Sequence, residues 1–454
     1  MPYLGQKASK GGHADLIKNP DVEAFLKDCV YMREPSDSEG AAIASQFLPA
    51  PKGSELPACV VASDASPYSD PISNRFPSTQ VGYVKVSLVA FDMNNFNGLI
   101  EAGSSLVDPF KVAAFHRDAQ AVSFTLPGSN IRYKGAKTVK DGFRLAVYEQ
   151  LSHDRTSFGR EGITVKDTLL FIHGGKITIK KCPSCGGEGK PFEFDLTHEM
   201  IECPICSQIA YVTDCMRIHE QISDYGDNTA AITRFMNAAE HLLMATLIKT
   251  LVDSNITQLS SMAFIVDGPL ALFGQPAKIH LPLMAFYHNV SSMVLAAGYA
   301  PPLLMGLQKE GQVMEHARSL DRFLKSGTYR VIDDDYRGQY ISGGPAELDN
   351  FGHETYYGQD FILKTESGRI FTVGIPYPFP NKQDRSAFAK RKSDVSFYEA
   401  WLGRAFDLIR HLEFDLYESA VVPIALAHRH ASISLVPGGM MLDLLTKQHM
   451  GSVR

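Results

Sequence analysis

Three carboxylates in this sequence stand where their surroundings constrain what a side chain can do. Asp267 ends the apolar run Ser261-Met-Ala-Phe-Ile-Val-Asp267 and is followed at once by Gly268-Pro269. A short run of branched and aromatic residues stopped by Gly-Pro is expected to be a buried strand that brings one carboxylate to the mouth of a sheet. An aspartate there also serves as an ordinary turn former or helix cap. Asp64 closes a similar run, Cys59-Val-Val-Ala-Ser-Asp64. Glu240 is different in kind. On a helix over Thr229 to Val252, capped by Asn228 or Thr229, seven apolar residues (Ile232, Met236, Leu243, Met244, Leu247, Ile248, Leu251) fall within about 80° of it. An ionised carboxylate in the middle of that stripe is costly unless it meets a buried arginine or a cation, and Arg234 is too far round the wheel to serve.

Brought together, Asp64, Glu240 and Asp267 would repel one another and retain protons unless divalent cations neutralised them. Mn²⁺ or Mg²⁺ would resolve that repulsion and supply phosphodiester cleavage, one ion activating a water and the other stabilising the leaving oxygen. Two-metal nucleases carry such a set of acids on an RNase H-like sheet. An added histidine tilts preference towards Mn²⁺.

Four of the seven cysteines form a second constellation. Cys182-x-x-Cys185 and Cys203-x-x-Cys206, seventeen residues apart, have the spacing of a four-thiolate zinc ribbon. Gly186, Gly187 and Gly189 supply the unusual dihedrals of a knuckle. Four thiolates close the coordination sphere, so the zinc is expected to be structural, which argues against a zinc-dependent hydrolase.

The elements that must position these groups follow from pattern. Val81 to Phe91 alternates as a strand, paired with Cys59 to Asp64 across a turn-rich loop over Ala65 to Gln80. Asp21 to Met32, Asp108 to Gln120, Asp141 to Leu151, Leu281 to Gly298 and Phe397 to Leu412 have helical texture. Thr168 to Lys180 suggests strand, turn, strand around Gly174-Gly175. Pro302 to Lys309 resembles another buried strand, ending at a cation that either holds a phosphate or reaches solvent. Gly358 to Thr365 and Arg369 to Ile375 are expected to form a hairpin. Residues 310 to 357 are irregular and polar, and Asp333-Asp-Asp335 is expected to be a solvated loop. Lys382 to Lys392 is a basic strip, either a phosphate contact or a solvated face. His428 follows the apolar Ala420 to Ala427, as a structural histidine or a functional one.

With 454 residues, 44% of them hydrophobic, and a formal net charge of -6, the chain can bury a large core and has no overall polycationic character, so nucleic acid must be met by a local basic groove. No run of about eighteen apolar residues is present and the first fifteen residues lack a signal-like apolar segment, which makes the cytoplasm the expected location and a membrane an unexpected partner. No P-loop motif occurs. Residues 1–55 are expected to be a docking arm, 56–180 the first part of a nuclease domain, 181–210 the ribbon and 211–454 the remainder.

The order Asp64 in VASDAS, Arg234 and Glu240 in RFMNAAEHLL, Asp267 in IVDGPL, Lys309 in LLMGLQK, then GQDFILKT at 358–365 and His428 in PIALAHRHASI resembles the NurA nucleases. The resemblance spans roughly residues 56 to 454 apart from the ribbon, which plain members of that family lack. It implies an α/β (α+β) fold, an RNase H-like mixed sheet with flanking helices and a small inserted ribbon. It also implies a Mn²⁺-dependent DNA nuclease, working as a ring-shaped homodimer with the hexameric ATPase HerA on DNA ends, in repair or anti-phage defence. Carried over by position, Asp64, Glu240, Asp267 and His428 are the expected catalytic and metal-binding residues, with Lys309, Lys364 and Arg429 as substrate contacts. Asp64 is followed by Ala65-Ser66 where the family commonly has Gly-Ser. The competing class is a non-catalytic DNA-binding or adaptor subunit.

Overall fold

Short apolar runs become the centre of a mixed sheet because they can be buried on both faces. The computed structural model describes residues 18–29, 32–53, 55–97, 119–159, 162–342, 351–413, 421–433 and 438–450. Its strands are β1 (Leu48–Pro49), β2 (Cys59–Pro71), β3 (Gln80–Asp92), β4 (Ala119–Pro127), β5 (Ile177–Lys181), β6 (Glu188–Phe194), β7 (Met200–Glu202), β8 (Ile209–Tyr211), β9 (Met262–Asp267), β10 (Leu303–Gln308), β11 (Thr328–Val331), β12 (Gly358–Lys364) and β13 (Ile370–Pro376). Nine form one sheet in the order β1-β11-β12-β13-β10-β9-β2-β3-β4. Within it β9 runs parallel to both β10 and β2, and the other neighbours are antiparallel.

Strand alternation sorts the side chains onto two helical layers. Val61, Phe264, Val266 and Leu304 point to one face. There they meet α2 (Val139–Leu151), α3 (Val165–Ile172), α4 (Thr229–Asn255) and α5 (His280–Ala296), after a shorter α1 (Asp37–Ala44) at the sheet's far edge. Val60, Ala62, Ala263, Ile265, Leu303, Met305 and Leu307 point to the other, against α6 (Glu399–Leu412) and α7 (Val422–Ala431). The observed mixed α/β architecture with flanking helices agrees with the expected class. No helix among the described residues is long and apolar enough to cross a membrane.

Several expectations are corrected. Thr168 to Lys180 is helix then strand: α3 starts at a Thr164–Asp167 capping box, buries Leu169 and Leu170 and turns through Gly174 and Gly175, both at positive φ, into β5. The loop expected from Ala65 is strand as far as Pro71, paired residue by residue with β3. Pairing of β2 with β9 stops at Ser63, so Pro67 and Pro71 lie where one edge of the strand is free and a missing N–H costs little. Within residues 310–357 there are a helix (Gln312–Ser319), β11 and a helical turn at Asp334–Tyr336. Asp333 caps that turn and Asp334 is buried against Lys392 at 2.7 Å, so the acidic run is not a solvated loop. The helix expected over Asp108 to Gln120 lies outside the described residues up to 118, and Ala119 and Gln120 begin β4.

Much of the expected basic strip is structural. Lys382 donates to the carbonyls of Gly352, His353 and Tyr356, Lys392 holds Asp334, and Arg391 stacks 4.2 Å from the Phe379 ring centroid. In the 1–55 stretch, residues 1–17 lie outside the described set, while α1 buries Ile43 and β1 pairs with β11, completing the sheet edge.

Candidate metal centre

The parallel trio β2, β9 and β10 sets the place of the acids. Ser63 stands opposite Val266 and Leu307 opposite Asp267, so Asp64, in the middle of β2 where its pairing with β9 stops, is level with Asp267 and Lys309 at the ends of β9 and β10. The chain leaves Asp267 in a tight reversal: Gly268 has φ +94° and its N–H donates to the Leu307 carbonyl at 2.9 Å. A Cβ on Gly306 would come within 2.5 Å of the Gly268 oxygen, so glycine there lets the reversal lie on β10.

Alternation decides which side each group faces. Asp64 shares parity with Val60 and Ala62, and Asp267 with Ala263 and Ile265, which places both towards α7. His428 sits in α7, a helix where the sequence suggested only an apolar segment ending at the histidine. One ligand atom from each of Asp64, Asp267 and His428 lies within 4.8 Å of the others. The His428 Nδ1 is 2.7 Å from Asp64 Oδ2, and Lys309 Nζ is 2.8 Å from Asp267 Oδ2.

These distances carry an electrostatic signature. Burial, then a hydrogen bond with Asp64, pushes the Asp267 carboxyl up to about 7, against the opposing pull of Lys309. Two carboxyls can share a hydrogen bond only when one carries a proton. Partial burial and the Lys309 charge lower His428, favouring the neutral ring. A neutral imidazole that donates Nδ1–H to Asp64 keeps its Nε2 lone pair for a metal or a proton. Two carboxylates and one imidazole, with solvent reaching them on the His428 side, fit a divalent cation.

Glu240 is placed on the other side. Ser63, one residue from Asp64 and of opposite parity, donates from Oγ to Glu240 Oε1 at 2.9 Å. Glu240 is 5% exposed, and its carboxyl is raised well above the usual range by burial, then by the charges of Asp64 and Asp267. It therefore feels the cluster without adding an oxygen to the compact set. Next along α4, the buried His241 Nδ1 lies 2.5 Å from the Tyr357 hydroxyl, fixing the helix at that level. Ser63 was not among the sequence candidates; only its strand parity relative to Asp64 could have pointed to it.

The other candidates are dispersed. Lys364 ends β12, which is separated from β10 by β13, and its ammonium is held by the carboxylate of Asp321 at 2.7 Å and by the carbonyl of the same residue. Arg429 is exposed on α7 beside His428. Asn228 is the N-cap residue of α4, one of the two expected, though its side chain makes no capping hydrogen bond; the preceding Asp227 accepts from the Thr229 N–H at 3.1 Å.

The thiols form their own centre. All four sulfurs have positions within 4.8 Å of one another, and Cys182 Sγ lies 3.8 Å from Cys206 Sγ. With Zn–S bonds of about 2.3 Å, the edge of a tetrahedron is about 3.8 Å, so the donors fit zinc. The knuckles match: Gly186 N–H donates to the Cys182 carbonyl and Ser207 N–H to that of Cys203, each at 2.9 Å. Cys182 and Cys203 are buried in the same apolar cluster as α2. Arg144 of α2 bridges Asp141 and Asp214 at 2.9 and 2.6 Å, tying the ribbon's exit to that layer.

No family model and no curated protein matches this chain. Among solved structures it is similar to the crystal structure of the NurA nuclease from Sulfolobus solfataricus, at 9% identity over 97% of each chain with a TM-score of 0.35. It is also similar to a second crystal structure of NurA, at 10% identity over 99% of this chain and 98% of that one, with a TM-score of 0.31. At such scores the likeness adds no weight to the chemistry, which rests on the side chains above.

Proposed function

We propose that this chain is a divalent-metal-dependent deoxyribonuclease whose centre is Asp64, Asp267 and His428, with Glu240 behind them. The observation that carries this reading is the gathering of two carboxylates and an imidazole within 4.8 Å, from β2, β9 and α7, with a carboxyl raised to about 7. Mn²⁺ or Mg²⁺ bound there would polarise the phosphodiester and lower the pKa of an attacking water. Asp64 and Asp267 would hold the cation, and the His428 Nε2 would ligate it or accept a proton. Lys309, released from Asp267 once a cation neutralises that carboxylate, would meet a phosphate oxygen as a point charge. Glu240, held by Ser63, would respond to the charge at the centre from the opposite face of the sheet. Exonucleolytic processing of DNA ends by a homodimer, with a HerA-like hexameric ATPase, in repair or defence, is the finer part of the reading and is supported by the sequence motifs. The four thiolates would hold a structural zinc.

The test is hydrolysis of end-labelled DNA by the purified protein with Mn²⁺, alone and with such an ATPase. Asp267→Ala should lower the rate by more than the roughly 10–100-fold that loss of an outer-shell partner costs, and should abolish Mn²⁺ binding in calorimetry. An inert wild-type protein that binds DNA, and an Asp267→Ala protein that behaves identically, would leave the adaptor reading in its place.

A further inference from the structure

A second concavity lies between the ribbon and the helical layer that contains α2. Its volume is about 880 Å³, within the range of ligand pockets. The walls are β5, the helical turns Val212–Met216 and Ile218–Gln221, and the turn Gln275–Ile279, which the chain reaches eight residues after Asp267. Six cationic side chains line it: Lys140, Lys176, Lys180, Lys181, Arg217 and Lys278. The two acids in the lining are already engaged, Asp214 with Arg144 and Glu220 with Arg217, both at 2.6 Å. Lys181 pairs with Glu188 at 2.7 Å and Lys140 donates to the Ser184 carbonyl at 2.8 Å.

Lys176, Lys180 and Lys278 are exposed, and none has a hydrogen-bond or ion-pair partner among the described residues. Lys176 precedes β5, Lys180 stands at the irregularity in its pairing between Ile179 and Lys181, and Lys278 comes from a separate wall. Uncompensated charges of one sign in a low-dielectric concavity focus a field that a polyanion relieves. The lining holds no Phe, Tyr or Trp, so it offers no platform for stacking bases. Charges set on two walls of one open basin suit a flexible single strand, whose backbone can curve between them.

We propose that this basin binds the phosphodiester backbone of a single-stranded nucleic acid without reading its bases. The assignment rests on the nuclease reading for the identity of the polyanion, and adds a path for the strand apart from the acids. The turn Gln275–Ile279 links the two sites covalently.

Binding is measured with the zinc-loaded full chain and a fluorescent oligo-dT of about 25 nucleotides, without added Mg²⁺ or Mn²⁺, over a series of salt concentrations. Replacing Lys176, Lys180 and Lys278 by Gln together should weaken binding at least tenfold near 0.1 M salt. It should also make the log–log salt slope shallower by about 2, at roughly 0.7 per lost phosphate contact. Lys278→Gln alone should change the slope by about 0.7, with an unchanged melting temperature confirming a folded protein. Unchanged affinity and slope overturn the proposal, as does a loss confined to duplex binding. Displacement by polyglutamate as effective, charge for charge, as by unlabelled oligo-dT would overturn it in favour of an acidic protein partner. Because hydrolysis is not read, inactivity of the acids leaves this result untouched, and a negative result here leaves the Asp267→Ala experiment standing.

Discussion

A carboxyl that retains its proton to about pH 7 records, in one residue, the charge imbalance of the whole centre. Between the ordinary aspartate value of 3.8 and about 7, folded Asp267 binds a proton that the unfolded chain has released. Its contribution to stability is therefore favourable at the acid end, falls as pH rises through that window, and is level above it. Asp267→Asn removes the titration. Without added divalent metal, the melting temperature of this variant relative to wild type should rise between pH 4 and 7 and then plateau; Mn²⁺ should reverse the ranking at pH 8 by stabilising wild type alone. A pH-independent difference would exclude the shared proton. At this scale the sequence was informative where a charge broke an apolar pattern, as at Glu240 and Asp267. It was silent on Ser63, because a serine beside an acid has no distinguishing pattern until the strand's partner helix is known. Lys364 was expected from the resemblance alone, since a lysine at a strand end has the same local sequence whether it faces a phosphate or, as in this structure, Asp321.

Among the elements, the ribbon was the most legible, since thiolate spacing is a direct imprint of coordination geometry. Its depth of attachment was not. Cys182 and Cys203 are 2% and 1% exposed and share the apolar cluster of α2, so the four-cysteine knot also closes part of the main core. Cys182→Ser should release zinc, measured by a chromogenic chelator, and lower the melting temperature of the entire chain in a single transition. A separate low-temperature transition would show the ribbon to be an independent unit. Arg144 is the polar counterpart of that attachment. Arg144→Ala leaves Asp141 and Asp214 without their bridge and should cost about 3–5 kcal/mol in denaturant unfolding, with Arg144→Lys recovering little because a bidentate fork is lost. Elements that the sequence misassigned were short and depended on tertiary contact. In α3, Leu169 and Leu170 are both fully buried, so the apolar packing against the helical layer, rather than the turn signal at Gly174-Gly175, decides helix over strand.

Across the whole molecule, the mixed sheet between helices was implied by the family resemblance, but the order of its strands was not expected from the sequence. Local pattern gives a strand's faces, whereas its neighbours are chosen by contacts between residues far apart, such as β2 with β9, separated by the ribbon and α4. The edge formed by β1 and β11 was hidden for the same reason, since two residues of β1 carry no period of their own.

The step from Ser63 to Asp64 has a further consequence. Those adjacent residues serve opposite faces of the sheet, one holding Glu240 and the other joining His428. Inserting or deleting one residue in β2 upstream of them would exchange the two faces, turning the hydroxyl towards α7 and driving the carboxylate against Glu240. Two buried acids would then confront each other with no histidine between them. The strand thus behaves as a reading frame: changes that preserve its residue count can be absorbed by repacking, while a single-residue shift removes the centre although every side chain that builds it is still present.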